Sequence, residues 1–389
     1  MIHPEEQPLA EPSGKRSSVL MAAILFITIA AIAAFGYIKS QGIELKNIDV
    51  RQFLSGNNKV RLLNETSSIT EIPYDSKEHP VFGIHMDYIV KCTRDGIWLL
   101  DKKGREIWSV GVPLSNPLIK TNGKDLLVVD IGGKDIYVIN GKNVRWNDKT
   151  DETIQNAEIA ENGFVTVITS SKLYNGVVRV YDKHGIELSQ STIANDFAVT
   201  AKIAPSGKQM VINLINASNA KSYTYLKFFD LNETEPVKKD MPQGKGLYPF
   251  VWFSGEDSIY TAGNTSIAYM DKDGNIIWEK QFSKIASACI TGSKRLAAAV
   301  VNGNVIDLKV FTPAGEEYAS AQLEGEVLNI NSFGGIISVN TGRKASFMTE
   351  KCKNIGEFDT RSDIKEVFFF NKQQAAVVTK SYVAVVDLR

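Results

Sequence analysis

A short phrase that returns about every 41 residues constrains the fold of this chain more than any other feature. Its clearest copies are Leu100–Trp108 and Met270–Trp278, in which an apolar run ends in Asp, a polar turn with Gly follows, and a second apolar run contains Trp. The residue that ends the apolar run marks each copy, and the eight marks are Asp101, Asn140, Asp182, Asp230, Asp271, Thr312, Thr349 and Asp387. Successive marks are 39, 42, 48, 41, 41, 37 and 38 residues apart. A period of roughly 40–45 residues made of short strands is typical of propeller blades, whereas helical solenoids show a 3.6-residue periodicity that this sequence lacks.

Each mark follows a run of β-branched and aromatic residues, such as Val177–Tyr181 or Tyr382–Val386, and a second such run precedes most of them, such as Phe164–Ile168. These compositions favour strands. Two strands, a glycine turn and a third strand make an antiparallel meander. We therefore predict an all-β fold, an eight-bladed β-propeller with a seven-bladed ring as the alternative. The predicted blades are 80–110, 116–146, 156–190, 197–238, 247–281, 285–321, 325–358 and 363–389.

The Asp-x-x-Gly turn followed by Trp resembles the repeat of quinoprotein-type (PQQ-like) propellers, the group that includes the outer-membrane assembly lipoprotein and the quinoprotein dehydrogenases. The resemblance covers roughly Pro80 to Arg389. Trp closes the motif at Trp108 and Trp278, while Ser189 or Ala319 takes that place in other copies. With its apolar segment near the N-terminus, the chain is also similar to uncharacterised, single-pass membrane-anchored propellers of Gram-positive bacteria. The resemblance implies a propeller and assigns no activity.

We expect no cofactor. Quinone-dependent dehydrogenases that share this repeat commonly hold their cofactor with calcium and a pair of adjacent cysteines. The three cysteines of this chain, Cys92, Cys289 and Cys352, are widely spaced. We interpret them as buried or idle thiols.

We expect no metal site and no catalytic residue. His79 and His85 would share one face of an extended strand but lie about 20 Å apart, too far to bind one ion. The acidic stretch Asp271–Gly274 is interpreted as a tight hairpin turn, because strand residues follow it too soon for a calcium loop. The soluble part also lacks the local motifs of common catalytic and nucleotide-binding sites.

The N-terminal region predicts a membrane anchor. Residues 1–16 are polar and proline-rich, which indicates a disordered tail. Residues 17–38 are 22 residues without a charge, and a helix of that length spans about 33 Å, enough for a hydrocarbon core of roughly 30 Å. A cleaved signal peptide is the alternative, although its apolar core is usually only about 7–15 residues long. Lys15 and Arg16 precede the span and favour a cytoplasmic N-terminus with the propeller outside.

Residues 39–58 are predicted to form a connector with a short helix, and residues 59–389 the propeller. The chain continues only two residues past the eighth mark, so the last blade lacks its outer strand. Propellers avoid such an open edge by using a strand from the other end of the chain. We predict that Lys59–Asn64 supplies it.

The function that this sequence favours is binding rather than catalysis. Lys plus Arg and Asp plus Glu both number 44, and without a basic cluster a nucleic-acid partner is not expected. The aromatic residues Tyr248, Phe250 and Trp252 are the candidate contact residues, since Tyr and Trp are enriched among interface anchors. The alternative for these three is an inner strand buried between blades.

We therefore expect a non-catalytic binding or scaffolding module on the outer side of a bacterial cell membrane, with a protein or cell-envelope partner. An extracytoplasmic enzyme acting on a glycan or peptide at the propeller mouth is the alternative, and convergent carboxylates in the channel would favour it. A sensor that relays ligand binding inward is disfavoured, because a 16-residue tail offers no signalling domain.

Overall fold

The computed structural model describes residue 63 and residues 69–217, 222–231, 237–240, 247–255 and 258–388, with the backbone alone at 237–240. The predicted tail at 1–16, membrane span at 17–38 and connector at 39–58 lie outside these residues. Within the described part, no helix combines the length and apolar character that crossing a bilayer requires.

The described residues contain 32 strands in eight four-stranded antiparallel sheets, and a short 3-10 helix at Ser76–Glu78. Each sheet is one blade, and seven blades take four consecutive strands. Blade one is β2 (Val81–His85), β3 (Tyr88–Thr93), β4 (Gly96–Leu100) and β5 (Glu106–Gly111); blade two is β6 (Pro117–Thr121), β7 (Asp125–Asp130), β8 (Asp135–Asn140) and β9 (Asn143–Lys149); blade three is β10 (Ile154–Ile159), β11 (Val165–Thr169), β12 (Gly176–Tyr181) and β13 (Glu187–Ile193); blade four is β14 (Phe197–Ile203), β15 (Gln209–Asn216), β16 (Tyr223–Asp230) and β17 (Val237–Asp240).

The second half of the ring repeats this order. Blade five is β18 (Phe250–Phe253), β19 (Ile259–Ala262), β20 (Ser266–Met270) and β21 (Ile276–Gln281); blade six is β22 (Lys284–Ile290), β23 (Leu296–Asn302), β24 (Val305–Phe311) and β25 (Glu317–Leu323); blade seven is β26 (Asn329–Phe333), β27 (Ile336–Asn340), β28 (Lys344–Thr349) and β29 (Asn354–Asp359); blade eight is β30 (Ile364–Asn371), β31 (Gln374–Thr379), β32 (Tyr382–Asp387) and, from the start of the fold, β1 (Thr70–Pro73). The eight-bladed prediction is confirmed, and the seven-bladed alternative is wrong.

The first strand of each blade lies at the centre of the ring. First strands of neighbouring blades contact one another around most of the ring, and β2 touches both β6 and β30, which closes the circle. We call these first strands the inner strands. Eight apolar clusters fill the eight gaps between neighbouring blades, so every sheet is covered on both faces by its neighbours.

The repeat phrase forms the turn between the third and fourth strands of a blade. In blade one, the Asp101 carboxylate accepts hydrogen bonds from the backbone N–H groups of Lys103 (2.8 Å) and Arg105 (2.9 Å). The same contacts recur at Asp182 and Asp271. A carboxylate is retained at these marks because it satisfies two N–H groups that the tight turn leaves without a backbone partner.

The Trp that follows the turn joins neighbouring blades. Trp278 lies over the turn glycine of blade six, where a Cβ atom at Gly315 would come within 3.0 Å of its ring. Its indole N–H also donates to the carbonyl oxygen of Pro313 at 2.8 Å. Trp146 lies over Gly185 of blade three in the same way. Glycine is required at these turns both for its positive φ, 86° at Gly185 and 84° at Gly315, and for the space that the ring occupies.

The strand that completes blade eight is β1, so the prediction of Lys59–Asn64 is wrong. Thr70–Pro73 pairs with β32 in the register Thr70 to Val385 through Pro73 to Tyr382. Ile72 is the one buried residue of this strand, which is sufficient for a strand at the outer edge of a blade. Pro73 lacks an N–H but is tolerated at the end of an edge strand. Leu63, the one described residue of the predicted segment, is instead buried in the cluster between blades seven and eight.

We expect Ile72→Asp to open the ring. The Ile72 side chain packs directly on Gly104 of blade one, and a Cβ atom added to Gly104 would lie 2.6 Å from it. An aspartate at position 72 would therefore bury a charge between the two blades without a partner. The cost is about 3 kcal/mol or more, and the freed edge of β32 would promote self-association. Thermal unfolding and light scattering measure both effects. Glu71→Gln on the exposed face of the same strand is the control, and equal melting temperatures for the two variants would contradict this closure.

Candidate functional site

Tyr248, the first of the three predicted contact residues, is a core residue. Its side chain is 1% exposed and lies in the cluster between blades four and five. Its hydroxyl is hydrogen-bonded to Ser266 and Glu279, its N–H donates to the Thr224 hydroxyl at 3.1 Å, and its carbonyl accepts from the Asn213 amide at 2.7 Å. Burial raises the pKa of Tyr248 to about 12. These contacts fix the backbone that leads into β18.

Phe250 and Trp252 form a stacked pair on β18. Their ring centroids lie 5.6 Å apart with an interplanar angle of 13°. Trp252 packs against the cluster between blades five and six, whereas Phe250 is 53% exposed. The three aromatic residues proposed from the sequence thus divide between a buried residue before β18 and a partly exposed pair on it.

Other apolar side chains are exposed where inner strands begin. Phe197 is the first residue of β14, and Leu247 and Leu328 lie just before β18 and β26. All three are exposed, as is Phe250. We call Phe197, Leu247, Phe250 and Leu328 the apolar rim. These residues belong to blades four, five and seven, and exposed apolar groups at one end of a rigid fold are candidates for an interaction surface.

The ring encloses a cavity of about 730 Å³ in its central channel. Its walls come mainly from the inner strands β2, β6, β26 and β30 and from the turn after β10. Most of the lining is apolar, including Ile84, Ile119, Phe333 and Phe368, and two glutamates, Glu161 and Glu366, also face it. The size lies within the range of ligand pockets, roughly 300–1,000 Å³.

The two glutamates differ in their partners. Glu161 forms an ion pair with Lys294 at 3.2 Å, which links the turn after β10 in blade three to the turn after β22 in blade six. Glu366 has no hydrogen bond or ion pair to any described residue. Its carboxyl group stays open to the channel, yet the surrounding protein removes part of its hydration and raises its pKa.

A second group of charges lies on three successive inner strands. Glu158 of β10 bridges Lys120 of β6 at 3.0 Å and Lys202 of β14 at 3.6 Å. Burial lowers the pKa of the Lys202 ammonium, and the charge of Glu158 opposes this shift. The carboxylate of Glu158 is thus occupied by two cations, and the group holds blades two, three and four together.

The remaining candidate ligands and nucleophiles do not converge. Within the described ranges, no group of three or more His, Cys, Asp or Glu side chains could hold a metal ion. The three cysteines are free and buried. Burial raises the pKa of Cys289 to about 12 and that of Cys352 to about 11, which keeps these thiols protonated and unreactive.

Sequence reasoning considered His85 only as a metal ligand and otherwise as a surface residue, which is wrong. It is fully buried at the end of β2, and neither ring nitrogen has a hydrogen-bond partner among the described residues. Burial lowers the pKa of the imidazole, an effect that the nearby charge of Asp125 opposes. The only signal in the sequence was its position at the end of an apolar strand.

We expect His85 to make the fold acid-sensitive. Because its pKa is lowered in the folded state, the unfolded chain takes up the proton first as the pH falls below about 6.5, and stability is lost on acidification. Between pH 7.5 and pH 5, the melting temperature of the natural protein should fall by several degrees more than that of His85→Leu. His184→Gln, at an exposed blade turn, is the control and should behave like the natural protein. An equal pH dependence in all three would show that His85 plays no part.

Comparison with known proteins agrees with this architecture. A family model described as a family of unknown function (DUF5711) matches residues 63–388. The chain belongs to this family. A search of curated proteins finds no match.

The solved structures that resemble this member of the family include propellers. BamB from Moraxella catarrhalis is 14% identical with a TM-score of 0.56, and the alignment covers 82% of this chain and 98% of BamB. The C-terminal WD40 domain of Sif2 is 10% identical with a TM-score of 0.59, covering 82% and 94%. Sqt1 from Chaetomium thermophilum, bound to the N-terminus of ribosomal protein L10, is 11% identical with a TM-score of 0.57, covering 82% and 95%. At these identities the likeness establishes the fold alone.

Proposed function

We propose that this protein is a membrane-anchored, extracytoplasmic β-propeller of the bacterial cell envelope that acts as a non-catalytic binding or scaffolding module. Its partner is a protein or another component of the envelope. The contact surface includes the apolar rim and Trp252, which stacks on Phe250, and the buried Tyr248 holds their strand in place.

The observation that carries this proposal is the stacked pair of Phe250 and Trp252. One ring is packed into the fold and the other is half exposed, so the pair presents apolar area that loses little side-chain entropy when it is covered. Interface hot spots are rich in rigid aromatic residues of this kind. The Sqt1 propeller, which in its structure is bound to the N-terminus of another protein, is an example of this fold holding a protein segment.

The membrane anchor and the side of the membrane rest on the sequence. Residues 17–38 carry no charge over a length that suffices to span a bilayer, and Lys15 and Arg16 directly precede them. A propeller tethered in this way can collect a partner at the membrane surface without an activity of its own.

The carboxylates of the channel support binding more than catalysis. A hydrolase of glycans needs two carboxyl groups on either side of one scissile bond. Glu158 and Glu161 are instead held by lysines, and Glu366 is the one glutamate of the three without such a partner among the described residues. Among the described residues, these three glutamates therefore offer the enzyme alternative no pair of free carboxylates.

The topology can be tested by cysteine labelling, because burial shields the three natural cysteines from a maleimide. We expect Ser189→Cys, on the exposed outer strand of blade three, to react with a membrane-impermeant maleimide on intact cells. Ser13→Cys in the tail should react only after permeabilisation, and the natural protein should stay unlabelled. The reverse pattern would place the propeller in the cytoplasm, and labelled protein released into the medium would indicate a cleaved signal peptide.

The contact surface can be tested by photo-crosslinking in growing cells. We expect benzoylphenylalanine at position 250 to give a discrete crosslinked product, and the same residue at position 277 to give none. Ile277 is a matched control, since it lies in the same blade and is 55% exposed against 53% for Phe250. With benzoylphenylalanine kept at position 250, Trp252→Ala should reduce the yield of this product about tenfold, as loss of a hot-spot residue does. Equal crosslinking at both positions, or none at 250, would rule out the rim as the contact surface.

A further inference from the structure

We propose that the cavity in the central channel binds a small organic cation, an ammonium group on an apolar skeleton, with Glu366 as its counter-ion. This site is separate from the apolar rim, and the inference does not depend on the function proposed above.

The first argument is the isolation of Glu366. The side chain of Glu366 is exposed to the channel, so its carboxylate is open to a cation from solution. The inner-strand residue Glu158 has two lysine partners, and Glu161, which also lines the cavity, has Lys294. Glu366 has no such partner among the described residues, and it lines the cavity. A ligand cation would supply the missing charge.

The second argument is the backbone around Glu366. The pairing of β30 with β31 shifts its register between Ile364 and Glu366, which marks a β-bulge at Lys365. The inner strands β10, β14 and β22 have a register shift at the corresponding position. The bulge therefore belongs to the repeat, and its effect in blade eight is to redirect the side chains next to it. The ammonium of Lys365 lies 5.6 Å from the centre of the Tyr74 ring. The lysine next to Glu366 in the sequence is therefore engaged elsewhere and leaves the carboxylate to the channel.

The third argument is the aromatic wall. Phe333 is 46% exposed and lines the cavity together with Phe368 and Phe370. Phe370 already binds a cation within the protein, since the Lys102 ammonium lies 4.7 Å from the centre of its ring. Ammonium groups over aromatic faces gain roughly 0.5–2 kcal/mol. The same wall can therefore stabilise a ligand cation from one side while Glu366 neutralises it from the other.

Together these features select the charge and the polarity of the ligand. An anion would be repelled by Glu366 and by the negative faces of the rings, and a neutral apolar molecule would leave Glu366 without a partner. The volume of about 730 Å³ admits an apolar body as well as the charged head. An organic ammonium ion satisfies both the carboxylate and the apolar lining.

The test compares phenyltrimethylammonium with its neutral isostere tert-butylbenzene on the purified full-length protein, by calorimetry for the cation and saturation-transfer NMR for both. We expect the cation to bind at least tenfold more tightly than the isostere. Glu366→Gln should weaken cation binding at least tenfold and leave the isostere unaffected. Glu316→Gln, at the exposed turn of blade six, is the matched control and should bind both probes as the natural protein does.

A second variant tests the same site independently, so that the result does not depend on the folding of Glu366→Gln. Phe333→Ala removes a half-exposed ring, and we expect it to weaken cation binding about threefold to tenfold through loss of the aromatic face. Phe250→Ala should bind the cation unchanged, which separates this site from the apolar rim. Equal affinity for the cation and the isostere, or no binding of the cation at millimolar concentration, would overturn the proposal.

Discussion

The pairing of β1 with β32 is the constraint on which the rest of the structure depends. Seven blades are built from consecutive strands, but blade eight has only three strands of its own at the end of the fold. Thr70–Pro73 completes it, so the first and last strands of the described chain lie in one sheet. An open eighth blade would leave a row of unpaired N–H and C=O groups and a gap beside blade one. With β1 in place, all eight gaps between blades are filled by apolar clusters.

The packing contact between blades eight and one has the same form as contacts between other neighbouring blades. Ile72 of β1 lies over Gly104, as Trp278 lies over Gly315 and Trp146 over Gly185. In each case a side chain from the outer strand of one blade occupies the space that the turn glycine of the next blade leaves free. The glycine of the repeat thus serves two purposes, because it allows the tight turn and it receives the neighbouring blade.

At the centre of the ring, one edge of each inner strand has no sheet partner, so its backbone N–H and C=O groups need other hydrogen-bond partners. Asparagine side chains on these strands and their turns donate to backbone carbonyls of the next blade. The pairs are Asn122 to Ala160 (2.8 Å), Asn156 to Val199 (2.7 Å) and Asn331 to Val367 (3.1 Å). These bonds satisfy part of the exposed edge and hold the walls of the channel in a fixed position. A cavity with fixed walls is suited to binding, since little ordering is required when a ligand enters.

The sequence by itself determined the number of blades and most of their limits. The spacing of the eight marks follows from the turns, because Asp101, Asp182 and Asp271 each cap the same local structure within five residues. Such signals are local and can be read without knowing the neighbours of a strand. Blade five, for example, was expected at 247–281 and its strands run from Phe250 to Gln281.

Only the tertiary structure decided which strand closes the ring and which side chains face the channel. Lys59–Asn64 and Thr70–Pro73 both have compositions compatible with a short edge strand, and the choice depends on the register with β32, hundreds of residues away. Tyr248, Phe250 and Trp252 look alike in the sequence, but the packing of blades four, five and six buries the first and exposes part of the second. The isolation of Glu366 and of His85 depends likewise on strands from several blades. Burial and pairing are properties of neighbours in space, and the repeat places those neighbours about 40 residues or more apart in the chain.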